Sequence, residues 1–224
     1  MRNFKGWLGE KKAAFYMWLV LDGTNYVRFH SMIIPSSNGT AQMDHIVVSP
    51  FGIFIIETKN RGGWIYGGKR QANWTQTFYS KKFPFQNPLK QVYRHKKVLA
   101  NFLNIDDSLI HTVVYFVGRC ELKTDLPSSV IKKGLGKFLK SFKKEIISKD
   151  DQTRLVKILQ QHKKESSISK QEHAHSLKQR HSSTTVCPNC GSILKLRLAK
   201  KGQSKGELFL GCEEFPKCRF SKSA

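Results

Sequence analysis

The sequence has no run of 18 or more apolar residues, so it holds no stretch able to cross a bilayer as a helix. Ala13 to Leu21 is apolar and follows Lys11-Lys12, as the core of a signal peptide would. Asp22-Gly23 comes next in place of a small-residue cleavage site, and the run reads as a buried first helix of a cytoplasmic protein. Acidic residues are scarce, 16 against 39 Lys and Arg, which leaves a net charge of +23. That balance points to a polyanion, nucleic acid first, with a solvated basic surface or attraction to anionic lipid as the plainer alternatives. Before the C-terminal region cysteine is nearly absent: Cys120 stands alone and the other four of five lie beyond residue 186. An odd count without a secretion signal favours a metal site in a reducing compartment over disulfides. No G-x-x-x-x-G-K-[ST] loop occurs, so any unwinding would need a helicase or another DNA-processing partner.

What is present is organised around Gln42 to Asn60. Two apolar runs, Ile46 to Val48 and Ile53 to Ile56, flank Ser49-Pro50-Phe51-Gly52, and Pro and Gly occupy the positions a type I turn favours. A turn centred between Pro50 and Phe51 sets Asp44 opposite Glu57. Like charges so placed are destabilising, and a divalent cation held by oxygen ligands is the simplest remedy. The two-residue period puts Lys59 on the same face as Glu57. The alternative is an edge hairpin with solvated charges, although strands apolar on both faces belong inside a sheet.

The flanking chain reads as strands interleaved with helices. Glu10 sits in the first turn of the N-terminal helix, where the helix dipole alone is reason enough for it. Tyr26 to Ile34 reads as a strand ending at Pro35, and Arg61 to Gly68 as a further strand and a Gly-Gly hairpin, with Trp74 on the returning strand. Asn87-Pro88 opens a helix on which Gln91 and His95 share a face, turned toward the hairpin or toward water. His111 to Val117 is a buried-type strand, and Lys132 to Gln161 reads as one or two basic amphipathic helices. Together these argue for an α/β or α+β domain over residues 1–162. Residues 163–185 are polar and read as a flexible linker, with a part-helical stretch as the alternative; His173, His175 and His181 fall there with no scaffold to make them metal ligands.

Residues 186–224 form a separate module. Cys187 and Cys190 pair across a Cys-Pro-Asn-Cys-Gly turn, and Cys212 and Cys218 supply a second pair with a wider spacing than the simplest ribbon. Four thiolates suit a structural, tetrahedral Zn²⁺, and so short a module needs metal to fold. Cys-Pro-Asn-Cys-Gly, Phe209-Leu-Gly-Cys and Phe215-Pro-Lys-Cys218 resemble the zinc ribbons of bacterial type IA topoisomerases. The resemblance implies single-stranded DNA binding, with Arg197, Lys200, Lys201, Lys205, Phe209, Lys217 and Arg219 as contacts.

In the larger domain, Gly6-Trp-Leu-Gly-Glu10, Gln42-Met-Asp44-His45, Gly52-Ile-Phe-Ile-Ile-Glu57-Thr-Lys59-Asn60 and Asn87-Pro-Leu-Lys-Gln91 with His95 resemble the nuclease-related domain (NERD) proteins of the PD-(D/E)xK nuclease superfamily. The resemblance implies an α/β fold with a restriction-endonuclease-like mixed central sheet flanked by helices. It also implies that Asp44 and Glu57, with the carbonyl of residue 58, hold Mg²⁺ or Mn²⁺ and that Glu10 completes a second metal shell. Lys59 would orient or deprotonate the attacking water, and Gln91 would lie near the scissile phosphate. Relatives often carry Tyr where this chain has His95. The function so implied is a metal-dependent DNA nuclease aided by a zinc ribbon that holds single-stranded or distorted DNA. Two other readings stay open: a non-catalytic nucleic-acid-binding protein built on a nuclease-like fold, and a nuclease acting on RNA.

Overall fold

The computed structural model describes residues 4–201 and 204–224, without the side chains of residues 4, 5, 170 and 181. Helix α1 spans Phe4–Val20 and leads into three consecutive antiparallel strands, β1 (Val27–Ser36), β2 (Gly39–Ser49) and β3 (Gly52–Lys59). The β2–β3 turn forms as its residues dictate. Ser49 Oγ accepts the Phe51 N–H at 3.2 Å and donates to the Gly52 carbonyl at 2.9 Å. Gly52 adopts φ +122°, and a Cβ there would press on the His111 ring at 2.7 Å. Facing residues pair as Ser49–Gly52 through His45–Ile56, the register the turn predicts.

Past Lys59 the chain leaves this sheet for a second one. Strands β4 (Gly63–Tyr66), β5 (Asn73–Phe78) and β6 (Lys81–Gln86) form a meander, helix α2 (Pro88–Leu103) follows, and β7 (Ile110–Phe116) returns parallel to β3. The chain then crosses again, and β8 (Cys120–Leu122) lies parallel to β4. The first sheet is completed by β9 (Val130–Ile131), in the order β1-β2-β3-β7-β9. The two crossings run side by side: the Val117 N–H donates to the Lys59 carbonyl at 3.1 Å and the Gly63 N–H to the Arg119 carbonyl at 3.1 Å. Gly118 is required at this seam because a Cβ would overlap the Arg61 backbone.

Both faces of the first sheet are covered, which is why its central strands are apolar throughout. Ile46, Val48, Ile53 and Ile55 pack with Val98 and Leu99 of α2 and with Leu155 and Leu159 of α4 (Lys149–Glu165). Val47, Phe54 and Ile56 point the other way, against Met17 of α1 and Leu135 and Leu139 of α3 (Leu135–Leu139). The period of two therefore sends Asp44 and Glu57 to the α2 side. The result is a mixed α/β architecture with helices on both faces of a mixed sheet.

Several expectations need correction. Helix α1 is buried along one side only: Ala13 and Met17 are inside, while Phe15, Trp18 and Leu19 are exposed. Strand β1 runs through Pro35 to Ser36 because that proline lies on an edge strand. Of the one or two helices expected over residues 132–161 the structure has two, but Phe142, Ile146 and Ile147, expected on their apolar side, lie between them. After α3 the chain makes a loop whose Ile146 and Ile147 N–H groups both bond the Pro50 carbonyl, and Ser148 then caps α4.

Within residues 163–185, read as a flexible linker with possible helix, the helical part is well defined. Helix α5 (Lys170–Ser182) begins with a capping box between Ser169 and Glu172 and packs on β2. It is held by polar contacts: Thr40 Oγ1 bonds His173 Nδ1 and Ser176 Oγ, each at 2.6 Å, and Arg180 Nη1 donates to the Thr40 carbonyl at 3.1 Å. His181 lies outside the described side chains. The final module is a three-stranded antiparallel sheet of β10 (Leu194–Leu198), β11 (Leu208–Cys212) and β12 (Ser221–Ser223). Among the described residues no helix is long and apolar enough to cross a membrane.

Candidate active site and zinc centre

Asp44, Glu57 and Lys59 meet where β3 reaches the seam between the sheets. Asp44 sits just beyond the His45–Ile56 pair, and its Oδ2 accepts the Thr58 N–H at 2.9 Å. On the other side the β1–β2 pairing passes over Ser31 and Asp44, and Ser31 takes φ +55°. Both ladders thus break at this aspartate. Glu57 is 3 % exposed. Its Oε1 accepts from Lys59 Nζ at 2.7 Å, and Lys59 Nζ also donates to Gln91 Oε1 at 3.0 Å. Glu57 Oε2 has no hydrogen-bond partner; His95 Nδ1 is 3.6 Å away, beyond hydrogen-bond reach.

The electrostatics are those of two carboxylates forced together. Burial first, then the charges of Glu57 and Glu10, push the Asp44 carboxyl well above the usual range, against the Thr58 N–H and Lys59. Burial also holds the His95 imidazole down at about 4, with Glu57 acting in the opposite sense, so the ring is neutral near pH 7. A bare carboxylate oxygen beside a second buried carboxyl fits a hard divalent cation.

Glu10, Asp44, Gln91 and His95 line a pocket of about 210 Å³, while Lys59 lines a neighbouring one with Thr58 and Asn60. Gln91 and His95 therefore face the site and not water. Arg94, three residues or about one helical turn beyond Gln91, also lines the pocket; that spacing was the available signal for it. The opposite walls come from outside the nuclease-like domain: His173 and Arg180 of α5, and Pro188 and Asn189 between the first two cysteines. Nothing in the polar composition of residues 163–185 marks them as part of a site.

The zinc centre is the better defined of the two. The ligand sulfurs of Cys187, Cys190, Cys212 and Cys218 all lie within 4.8 Å of one another. Cys187 to Cys218 is 3.7 Å and Cys190 to Cys212 is 3.4 Å, too long for disulfides. Four sulfurs at Zn–S distances of about 2.3 Å in a tetrahedron stand about 3.8 Å apart. Among the described residues these are the one group of three or more His, Cys, Asp or Glu side chains close enough to hold a metal ion. Gly191, at φ +85°, turns the first pair, and its N–H bonds the Cys187 carbonyl at 2.9 Å. The module is docked on the larger domain: Asn38 Nδ2 donates to the Cys187 carbonyl at 3.0 Å, and Tyr93 of α2 packs on the cysteine cluster.

The expected nucleic-acid contacts divide into two sets. Lys217 and Arg219 line a groove of about 390 Å³ between the module and α2, shared with Lys69, Arg70, Lys90 and Tyr93 of the larger domain. Arg219 lies over the Phe215 ring, 5.5 Å from its centre. Lys200, Lys201 and Lys205 are exposed on the β10–β11 connection, and Phe209 is half-buried on β11. Arg197 pairs with Phe209 across the sheet, and its Nη2 is engaged by the Cys212 carbonyl at 3.2 Å.

The nuclease-related domain family matches residues 5–117, and the topoisomerase DNA binding C4 zinc finger matches residues 184–224. An uncharacterized protein of Bacillus anthracis is 39% identical over 122 residues, 54% of this chain and 57% of that relative, so the chain spans a little over half of its length. No solved structure matches. With half of its length inside the first match and the four clustered cysteines inside the second, the chain belongs to the nuclease-related domain family and carries a topoisomerase-type C4 zinc ribbon.

Proposed function

We propose that the chain is a divalent-metal-dependent nuclease that hydrolyses phosphodiester bonds in DNA, with the zinc ribbon holding single-stranded or distorted substrate. The observation that carries this reading is the clustering of Glu57, Lys59 and Gln91 through Lys59 Nζ, beside buried Asp44, with one oxygen of Glu57 left without a hydrogen-bond partner. Asp44 and Glu57, with the carbonyl of residue 58 and with Glu10 as a further candidate, would hold Mg²⁺ or Mn²⁺. Such an ion, when bound, lowers the pKa of a coordinated water and neutralises charge on the phosphate.

Lys59 does the rest of the electrostatic work from the protein side. Its ammonium is fixed between Glu57 Oε1 and Gln91 Oε1, and from there it stabilises negative charge developing on a phosphate held beside Gln91. Gln91 orients that ammonium and leaves its own amide N–H groups for a phosphate oxygen or a water. Neutral His95 fills the space behind Glu57 without adding a cation that would compete for the carboxylate. Burial and the Glu57 charge hold the Asp44 carboxyl up, and a bound cation would act in the opposite sense, which links protonation of the site to its occupancy.

The test is a cleavage panel of linear, nicked, flapped and single-stranded DNA and matched RNA, with Mg²⁺ or Mn²⁺, comparing wild type with Glu57→Ala and Lys59→Ala. Wild type should cut DNA, Glu57→Ala should be inactive while still binding, and Lys59→Ala should lose about 10²–10⁴ in rate. Salt-dependent binding with every substrate left intact would sink the catalytic reading in favour of a non-catalytic nucleic-acid-binding protein. Faster turnover of RNA would move the substrate class.

A further inference from the structure

Arg94 and Arg180 are 5 % and 8 % exposed, yet neither has a carboxylate partner. Arg94 Nη2 donates to Ser36 Oγ at 3.2 Å and Asn38 Oδ1 at 2.7 Å, and Arg180 Nη1 donates to the Thr40 carbonyl at 3.1 Å. All three acceptors are neutral. Arg94 Nε and Nη1 and Arg180 Nε have no hydrogen-bond partner. Two buried guanidiniums that repel each other, with donors to spare, form an arrangement that a fold retains at a cost unless an anion answers it. Both line the pocket that holds Asp44 and Gln91. The guanidinium fork matches phosphate oxygens bidentately.

The surroundings identify the anion. Lys90 and Asn189 line both this pocket and the basic groove between α2 and the zinc ribbon. A strand lying along Lys69, Arg70, Lys217 and Arg219 would be passed by Lys90 into the pocket. From the nucleic-acid-binding reading above, together with this geometry, we infer that Arg94 and Arg180 form a second phosphate subsite, which holds a non-scissile phosphate of the bound strand beside the carboxylates. Arg180 lies on α5, outside both family matches, so the subsite exists only where the two domains and their connecting helix are assembled. One other anion is nearby: zinc held by four thiolates keeps net negative charge, and Cys187 and Cys190 act on Arg94. If balancing the zinc centre were the whole role of the pair, substrate phosphates would not feel the loss of Arg180.

Full-length, zinc-replete protein carrying Asp44→Asn, to prevent cleavage, serves as the parent, with Arg180→Gln and Arg180→Lys added to it. Anisotropy titrations across a salt series would use oligonucleotides with a 5′-phosphate, a 3′-phosphate or hydroxyl ends, and a circular single strand. Arg180→Gln should weaken binding about tenfold and reduce the slope of log K against log salt by about 0.7, the contribution of one phosphate contact on a single strand. Arg180→Lys should keep the slope, which separates lost charge from lost packing. A reduction confined to one phosphorylated end assigns a terminal phosphomonoester, and one seen also on the circle assigns an internal diester; either supports the subsite. Slopes equal to the parent's on every strand would overturn it and leave the nuclease reading standing. A parent that binds no strand would defeat both.

Discussion

Replacing Asp44 by Asn should raise the thermal stability of the protein in divalent-free buffer and abolish its response to Mg²⁺. The reasoning is local. Asp44 is buried and faces the charges of Glu57 and Glu10, so its ionised form is disfavoured in the native state. Asn keeps an acceptor for the Thr58 N–H and removes the charge. The native state holds this proton where the unfolded chain, with a carboxyl near pKa 3.9, has released it. Wild type should therefore lose stability relative to Asp44→Asn as pH rises from about 3.9 through the raised native value, and the gap should then level off. Mg²⁺ reverses the order. At about 100 times Kd a ligand of the native state adds ~2.7 kcal/mol. A chain of this size gains about 2–4 °C per kcal/mol, so wild type should rise by roughly 5–11 °C and overtake the variant. Fluorescence of Trp74, fully buried where it stacks on Phe116, reports the melting of this domain. Equal Mg²⁺ shifts in the two proteins, or a destabilised variant without metal, would refute the argument.

Two further outcomes follow from the packing. Cys190→Ser should release zinc, measured by a colorimetric chelator, unfold the ribbon and lower DNA affinity, since structural zinc contributes on the order of 10 kcal/mol to such modules. Gly118→Ala should destabilise by about 1–3 kcal/mol in denaturant melts and slow cleavage, because the new Cβ overlaps the Arg61 backbone two residues beyond Lys59.

The parts of the site visible in the sequence were those fixed by local chemistry. Ser49-Pro50-Phe51-Gly52 dictates its own turn, the turn sets the register, and a period of two then puts Asp44, Glu57 and Lys59 on one face. Asn87-Pro88 likewise announces α2, with Asn87 Oδ1 accepting the Leu89 N–H at 2.9 Å. Strand β6 was hidden because Pro84 argues against a strand except at an edge, which is where it lies. The reading was least specific at α5, where the usual signal is missing. Its residues bury almost no apolar surface, and it is fixed through Thr40, His173 and Arg180, contacts with partners more than 130 residues away in sequence. Only the Ser169–Glu172 capping box was there to be read. Composition distinguishes chains that can bury an apolar face from those that cannot, and a helix held by hydrogen bonds falls on the wrong side of that line.

The hydrogen bond from Asn38 to the Cys187 carbonyl, and the place of Pro188 and Asn189 in the wall of the carboxylate pocket, tie the zinc centre and the proposed divalent-metal site into one experimental problem. A strong general chelator such as EDTA would strip the ribbon and any ion held by Asp44 and Glu57 together, so loss of cutting under EDTA would say nothing about which ion the proposed nuclease uses. The informative design is titration of Mg²⁺ or Mn²⁺ into protein whose zinc content has been measured and held constant. A zinc-deficient preparation would pass for an inactive enzyme.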